Sequence, residues 1–186
     1  MHPSIKKARS VQGLHLVLQD ASVEDAAFIL NLRMDPIKSQ YMSATSAKLE
    51  DQIDWLKSYQ RSRDQAYFTI RDKSMNRLGC IRMYDPVEDS YCWGSWLMIN
   101  GLPPMVAIEA ALLVYAYGKY LGFKEARIGV RKESKPVWSF HEKFFSAERV
   151  NETELDYLYA VRKSSIESIL KKYAHLLTNP LEVEHF

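Results

Sequence analysis

Between Met105 and Leu121 almost every position is apolar, and only Glu109, Gly118 and Lys119 break the run. A helix apolar around nearly its whole circumference is buried on several sides. The run is short, carries an acidic side chain and has no basic clusters at its ends, which describes a core helix rather than a membrane span. Pro104 suits its first turn and Gly122 the left-handed position just past its end. Ahead of it, Ser90–Ile99 (SYCWGSWLMI) is apolar on both faces, as a central strand is, and Ala126–Arg131 follows as another strand. Strand, buried helix and strand in succession predict a crossover between parallel neighbours.

The remaining pattern alternates between helical and extended periods. Leu14–Leu18 predicts a first strand. Ser22, with Asp25 three positions on, opens a helix whose apolar face is Ala26, Ile29, Leu30 and Leu32 and which Pro36 ends. After the polar connection SQYMSATS, the spacing of Leu49, Ile53, Leu56 and Tyr59 predicts a helix over 48–61. The period then shortens to two: QAYFTIRD (65–72) and RLGCIRMYD (77–85) read as a hairpin across KSMN, with Pro86 and VEDS turning into the central strand. Val137–Phe144 predicts a short helix, Asp156–Val161 a strand, and Ser164 with Glu167 a capping box opening a helix that carries Ile166, Ile169, Leu170 and Tyr173. The order β α α β β β α β α β α is that of an α/β fold with a mixed sheet. The domain is expected to run from 14 to 163, with a flexible arm at 1–13 and a C-terminal helix and tail, 164–186, packed on it.

A chain of 186 residues suffices for one domain with a real core, and 47% hydrophobic and 12% aromatic residues exclude disorder. A net charge of +2 asks for neither a nucleic-acid nor a membrane partner. Cys80 and Cys92 are too few for a disulfide framework and read as reduced core residues of a cytoplasmic protein. MHPSIKKARS is basic without a following apolar stretch, so no signal peptide is expected. The five histidines are scattered without metal-ligand spacing, and no metal is expected.

Four pieces of the chain, in this order and spacing, resemble the GNAT superfamily of acyl-CoA-dependent N-acyltransferases. They are LRMDPIKSQYM after the first helix, the helix LEDQIDWLKSY, the hairpin strand RLGCIRMY and the ending KPVWSFHEKFF. The resemblance spans about Leu14 to Val161. It is strongest toward the ribosomal-protein and amino-sugar-nucleotide N-acetyltransferases, whose helix endings match Leu32, Arg33 and Pro36 and then His141, Glu142 and Lys143. It implies a single-domain mixed sheet flanked by helices, acetyl-CoA as acyl donor and a small-molecule primary amine, such as that of an amino sugar, as acceptor. Similar proteins often pair their sheets in homodimers.

The same resemblance assigns roles by position. The backbone of Leu97, Met98 and Ile99 would run beside the pantetheine, and His141 stands where many members carry a tyrosine acid. The superfamily's phosphate-binding turn falls on Asn100, Pro103 and Met105, so both of its glycines are missing. Proline has no N–H to give, which leaves Gly101, Leu102, Met105 and Val106 as donors at the helix start. The usual asparagine after the next strand falls on Ser134. Arg33 is a candidate for holding an anionic or hydroxyl-rich acceptor, and Tyr41, Tyr84, Tyr91 and Trp93 for lining its cleft, although such aromatic residues also serve as plain core. Asp85 and Glu88 are candidate bases or solvated turn residues. Arg131, Lys132 and Lys135 would meet the nucleotide phosphates of CoA or form a basic turn. Two further readings stay open: a peptide or ribosomal-protein N-terminal acetyltransferase, favoured by an acidic cleft, and a GNAT-like binding module without turnover, suggested by the proline turn. Aromatic platforms would favour the sugar.

Overall fold

The computed structural model describes residues 2–41 and 46–186, so part of the polar connection, 42–45, lies outside the described residues. The chain opens with β1 (Ser10–Gly13) and β2 (Leu16–Asp20), followed by the helices α1 (Ala26–Met34), α2 (Pro36–Ser39) and α3 (Leu49–Arg61). The meander is β3 (Ala66–Asp72), β4 (Arg77–Val87) and β5 (Ser90–Met98). The crossover helix α4 (Pro104–Tyr120) leads to β6 (Glu125–Arg131), α5 (Lys135–Phe145), β7 (Glu148–Glu152), β8 (Asp156–Val161), α6 (Lys163–Lys172) and β9 (Leu177–Glu184). The strands form one mixed sheet in the order β7-β8-β6-β5-β4-β3-β2-β1-β9, and β5 with β6 is its parallel pair. The expected α/β fold and crossover are therefore present.

One face of the sheet is covered by α4, α5 and α6. Leu112, Leu113, Val114, Tyr115 and Tyr117 of α4 are fully buried there against Phe68, Ile81, Tyr91 and Trp93. Each such side chain contributes about 1.5–3 kcal/mol by leaving water. The other face is covered by α1 and α3 over Tyr67, Cys80 and Leu97, in a smaller cluster containing Ile29, Leu32, Leu56 and Tyr59. Ser22 and Asp25 form the expected capping box. The same buried Asp25 carboxylate accepts from Arg71 at 2.8 Å and Arg77 at 2.6 Å, tying the start of α1 to the meander.

Four expectations are corrected. Residues 1–13 are no loose arm: Ile5 and Ala8 are buried, Tyr117 donates to the Lys6 carbonyl at 2.7 Å, and Ser10–Gly13 form β1. Residues 177–184 are no tail but β9, paired antiparallel with β1 from Ser10↔Glu184 to Gln12↔Glu182. β1 also pairs with its neighbour β2, but β9 gains its ladder from β1, about 170 residues away, a pairing that local periodicity does not carry. Pro180 argues against a strand in sequence, yet an edge strand has one row of N–H groups to spare. Ser164 lies inside α6 rather than capping it, because the helix begins one residue earlier, with Arg162 at the cap and no side-chain cap bond. Pro36 opens α2 rather than closing α1, with the Asp35 side chain capping Ile37 and Lys38. The added strand β7 is exposed along its whole length and so showed no alternation.

At the end of β2, Asp20 accepts from the Tyr59 hydroxyl, with Lys7 and Asp25 the charged groups nearby, and burial raises its carboxyl to about 6. A carboxyl that holds its proton more tightly when folded adds stability at low pH, and this is lost as pH rises through about 6. The melting advantage of the wild type over Asp20→Asn is therefore expected to be larger near pH ~4.5 than near pH ~7.5. Melting curves of both proteins at the two pH values check this, and an advantage independent of pH would refute it.

Candidate active site

β5 and β6 stay paired only at Ser90↔Glu125, Tyr91↔Ala126 and Cys92↔Arg127. Beyond that the two strands part, and residues 93–98 of one and 128–131 of the other line a cavity of about 480 Å³. β6 keeps its other edge on β8 through Arg131↔Asp156, and β5 keeps its other edge on β4. On β5 the pairing runs from Cys80↔Leu97 to Arg82↔Gly94, so the strand carries one extra residue there, and Ser95 takes a positive φ of 47°. A bulge bends a strand and re-aims its groups, which here helps turn β5 away from β6. The parted edges present unpaired backbone groups to whatever extended chain enters between them.

The floor of the cavity is aromatic. His141 on α5 lies within ring-contact distance of Trp93 (5.3 Å) and Trp96 (6.0 Å), and all three line the cavity. His141 is buried, and desolvation lowers its pKa to about 4, so the imidazole is neutral near pH 7. Its Nδ1 and the Trp96 Nε1 are buried without a hydrogen-bond partner among the described residues. Ile37 and Lys38 of α2, Gln40 and Tyr41 just after it, and Pro136 and Val137 of α5 also line the cavity. Among the described lining residues the charged side chains are Lys38 and Arg131, and none is a carboxylate. Lys38 is held by Asp35 at 2.6 Å and Arg131 by Asp156 at 3.2 Å.

The cavity gathers part of the expected set: Leu97, Met98, Ser134, His141, Tyr41 and Trp93, together with Arg131. Ser134 is buried, and its carbonyl accepts from the amides of Val137 and Trp138 at 3.1 and 3.2 Å. Others fall elsewhere. Tyr91 shares the face of Trp93 but sits where β5 and β6 are still paired, fully buried, and donates to the Val114 carbonyl at 3.1 Å; it is core. Tyr84 does not line the cavity but lies beside it, its hydroxyl 3.3 Å from where a Cβ on Gly94 would stand. Arg33, in the last turn of α1, also lies outside the lining and acts electrostatically on Tyr67 and Cys80. Asp85, near the end of β4, and Glu88, in the turn after it, do not line the cavity, and Asp85 is paired with Arg127 at 3.0 Å. Lys132 pairs with Glu152 at 3.0 Å, and Lys135 opens α5.

The helix-start residues Gly101, Leu102, Met105 and Val106 follow β5 but do not line this cavity, nor does the exposed Ile99, whose amide donates to the Leu78 carbonyl. The Val106 amide already donates to the Pro103 carbonyl at 3.0 Å, and Gly101 has a φ of 80°. Sequence reasoning overlooked Lys38, Gly94, Ser95, Trp96 and Gly129. The pair Gly94-Ser95 in an otherwise bulky strand was the available signal, since small residues in a strand interior mark bulges and close approach.

No family model and no curated protein matches the chain by sequence. Solved structures do. A nucleotide-linked sugar GNAT, FdhC, superposes with a TM-score of 0.80 at 28% identity, covering 91% of this chain and 98% of that one. The chain has the GNAT fold. A GNAT-family acetyltransferase from Chromobacterium violaceum matches at a TM-score of 0.76 and 15% identity, covering 90% and 92%. Spermidine N-acetyltransferase from Vibrio cholerae, solved with CoA and spermine, matches at 0.71 and 13%, covering 82% and 98%. The parted strands, the bulge and the aromatic floor thus belong to a chain of GNAT fold whose structural neighbours are acetyltransferases, which supports an N-acetyltransferase enzyme. Among the described residues no helix is long and apolar enough to cross a membrane. Nor do these hold a group of metal-ligating side chains.

Proposed function

We propose that this chain transfers acetyl from acetyl-CoA to the primary amine of a nucleotide-linked amino sugar. The observation that carries the acceptor class is the cavity lining: aromatic, with no carboxylate among its described residues and with its two cations, Lys38 and Arg131, each paired to a carboxylate outside it. Such a lining offers a sugar ring aromatic faces to pack on and offers polyamines and basic peptides no anion to pair with. The nucleotide-linked sugar GNAT among the neighbours supports the same class.

The parted strands fit an extended acyl donor, since the free edges of Leu97–Met98 and Gly129–Val130 offer ladder hydrogen bonds to an amide-bearing arm. In the transfer, the acceptor nitrogen bonds to the thioester carbonyl carbon and the carbon–sulfur bond breaks. The amine gives up one proton, and the departing sulfur takes one. With its pKa near 4, His141 is a poor match for an imidazolium acid. We assign it, with the Trp96 indole N–H, to hydrogen bonding at the cavity floor, where a donor aimed at developing charge is strengthened by the dry surroundings. The profile of kcat/KM between about pH 6 and pH 8 should then have the same shape in the wild type and in His141→Gln. A limb in this range that disappears in the variant would restore the acid role.

The decisive assay follows thiol release from acetyl-CoA with nucleotide-linked amino sugars, spermidine and peptides bearing free N-termini. Turnover is expected with the first group. Faster turnover of spermidine or peptides would overturn the acceptor assignment. The proline turn makes acyl-donor affinity worth measuring first: acetyl-CoA at about a hundred times its Kd should stabilise the fold by about 2.7 kcal/mol. No stabilisation by acetyl-CoA, longer acyl-CoAs or CoA would leave the binding module.

A further inference from the structure

Arg82 lies on β4 directly across from Gly94, which lines the cavity, and on the sheet face that α1 and α3 cover only in part. Its guanidinium lies between two rings, 5.2 Å from the centroid of Trp55 on α3 and 5.0 Å from that of Tyr84. Its Nε donates to the Gln65 side-chain oxygen at 2.7 Å. Among the described residues no carboxylate pairs with it, and neither terminal nitrogen donates to the protein. Asp64 acts on it only at longer range, while burial opposes its charge. A half-buried cation with a fixed plane, an oriented Nε and free terminal N–H groups is arranged for an anion from outside.

The route from the cavity is short. Gly94 has no side chain to separate the parted strands from Arg82, and the Tyr84 hydroxyl borders the same gap. Arg131, on the far side of the cavity, is neutralised by Asp156. Arg82 has no such partner and is the stronger anion site of the two. A planar guanidinium binds phosphate oxygens in pairs, and the flanking rings hold the plane before a ligand arrives, which reduces the ordering cost on binding.

From this geometry we infer that Arg82 is the acceptor-side phosphate anchor, holding the diphosphate of the nucleotide-linked sugar while the sugar reaches past Gly94 toward the cavity floor. The inference rests on the acceptor class proposed above. It makes Arg82 a specificity determinant, with no part in the chemical step.

The test is calorimetric titration with uridine and thymidine diphosphates on protein saturated with CoA, so that the acyl-donor cleft is filled. Wild type is expected to bind one of them, and Arg82→Gln to bind it at least tenfold more weakly, with the CoA affinity within twofold of wild type. Arg82→Lys, which keeps the charge and loses the fork, should fall between the two and serves if the glutamine variant does not fold. With a nucleotide-linked amino sugar as acceptor, the loss should appear in KM rather than kcat. Equal diphosphate binding by wild type and Arg82→Gln, or displacement of the diphosphate by CoA, would overturn the anchor and leave the acceptor class standing. No diphosphate binding to wild type under saturating CoA would overturn both.

Discussion

Replacing Glu109 by alanine should lower the stability of the fold by about 3 kcal/mol and its melting temperature by roughly 6–12 °C. The carboxylate is the one acidic group inside the buried run of α4, almost wholly shielded from solvent. One oxygen accepts from the backbone amides of His15 at 2.7 Å and Leu16 at 2.9 Å, and the other faces the His15 ring at 2.9 Å. Removing it strands two amides at the start of β2, and a buried donor without a partner costs about 1–3 kcal/mol. Gly13 fits the same arrangement, since a Cβ there would come within 2.6 Å of the carboxylate. Because the His15 side chain is largely exposed, His15→Ala should cost under about 1 kcal/mol. Glu109→Gln, which keeps one acceptor oxygen for the amides, should recover about half of the loss. Denaturant melts of the three variants decide the matter. Equal losses in His15→Ala and Glu109→Ala would mean that the ion pair, rather than the amides, is what counts.

Gly79→Ala is expected to damage the site as well as the fold. A Cβ at this position would stand 2.3 Å from the Leu97 carbonyl oxygen and 3.1 Å from the Met98 Cα, both on the neighbouring strand. Backbone cannot turn away as a long side chain can, so β4 and β5 must separate, at about 2–3 kcal/mol. The separation falls on Leu97 and Met98, which form one wall of the cavity. The KM for acetyl-CoA should rise at least about tenfold, a change of about 1.4 kcal/mol in donor binding. Steady-state kinetics with a melting curve on the same preparation test this. An alanine variant with wild-type KM and melting temperature would show that the strands have room.

The long elements were legible because their signals are local. The run from Met105 to Leu121, the period-two stretches of the meander and the 48–61 helix each state their own burial in side-chain spacing. β1, β7 and β9 were missed for the opposite reason: they are short or exposed, and each becomes a strand through a ladder with another segment. The capping box at Ser22 and Asp25 formed as read, whereas the same pattern at Ser164 and Glu167 did not, since the helix there starts one residue before the serine.

For the site, residue types on parted strands were foreseeable but their faces were not. Trp93 and Tyr91 are two apart on β5 and share a face, yet Trp93 reaches the cavity while Tyr91 is sealed beneath α4. The difference is position along the splay, because β5 and β6 are still joined at Tyr91 and have begun to separate at Trp93. His141 was found by its place in the ending KPVWSFHEKFF, but its neutral state follows from desolvation among rings that only the folded chain assembles.

The sequence by itself determined the order of the main elements, the buried crossover helix and the residues that close α5, because hydrophobic spacing and capping act over a few residues. Tertiary structure decided where β5 leaves β6, which side chains face the gap, the charge state of His141 and the isolation of Arg82 between two rings. Those properties depend on distance and dielectric between segments far apart in the chain, and no local pattern encodes them.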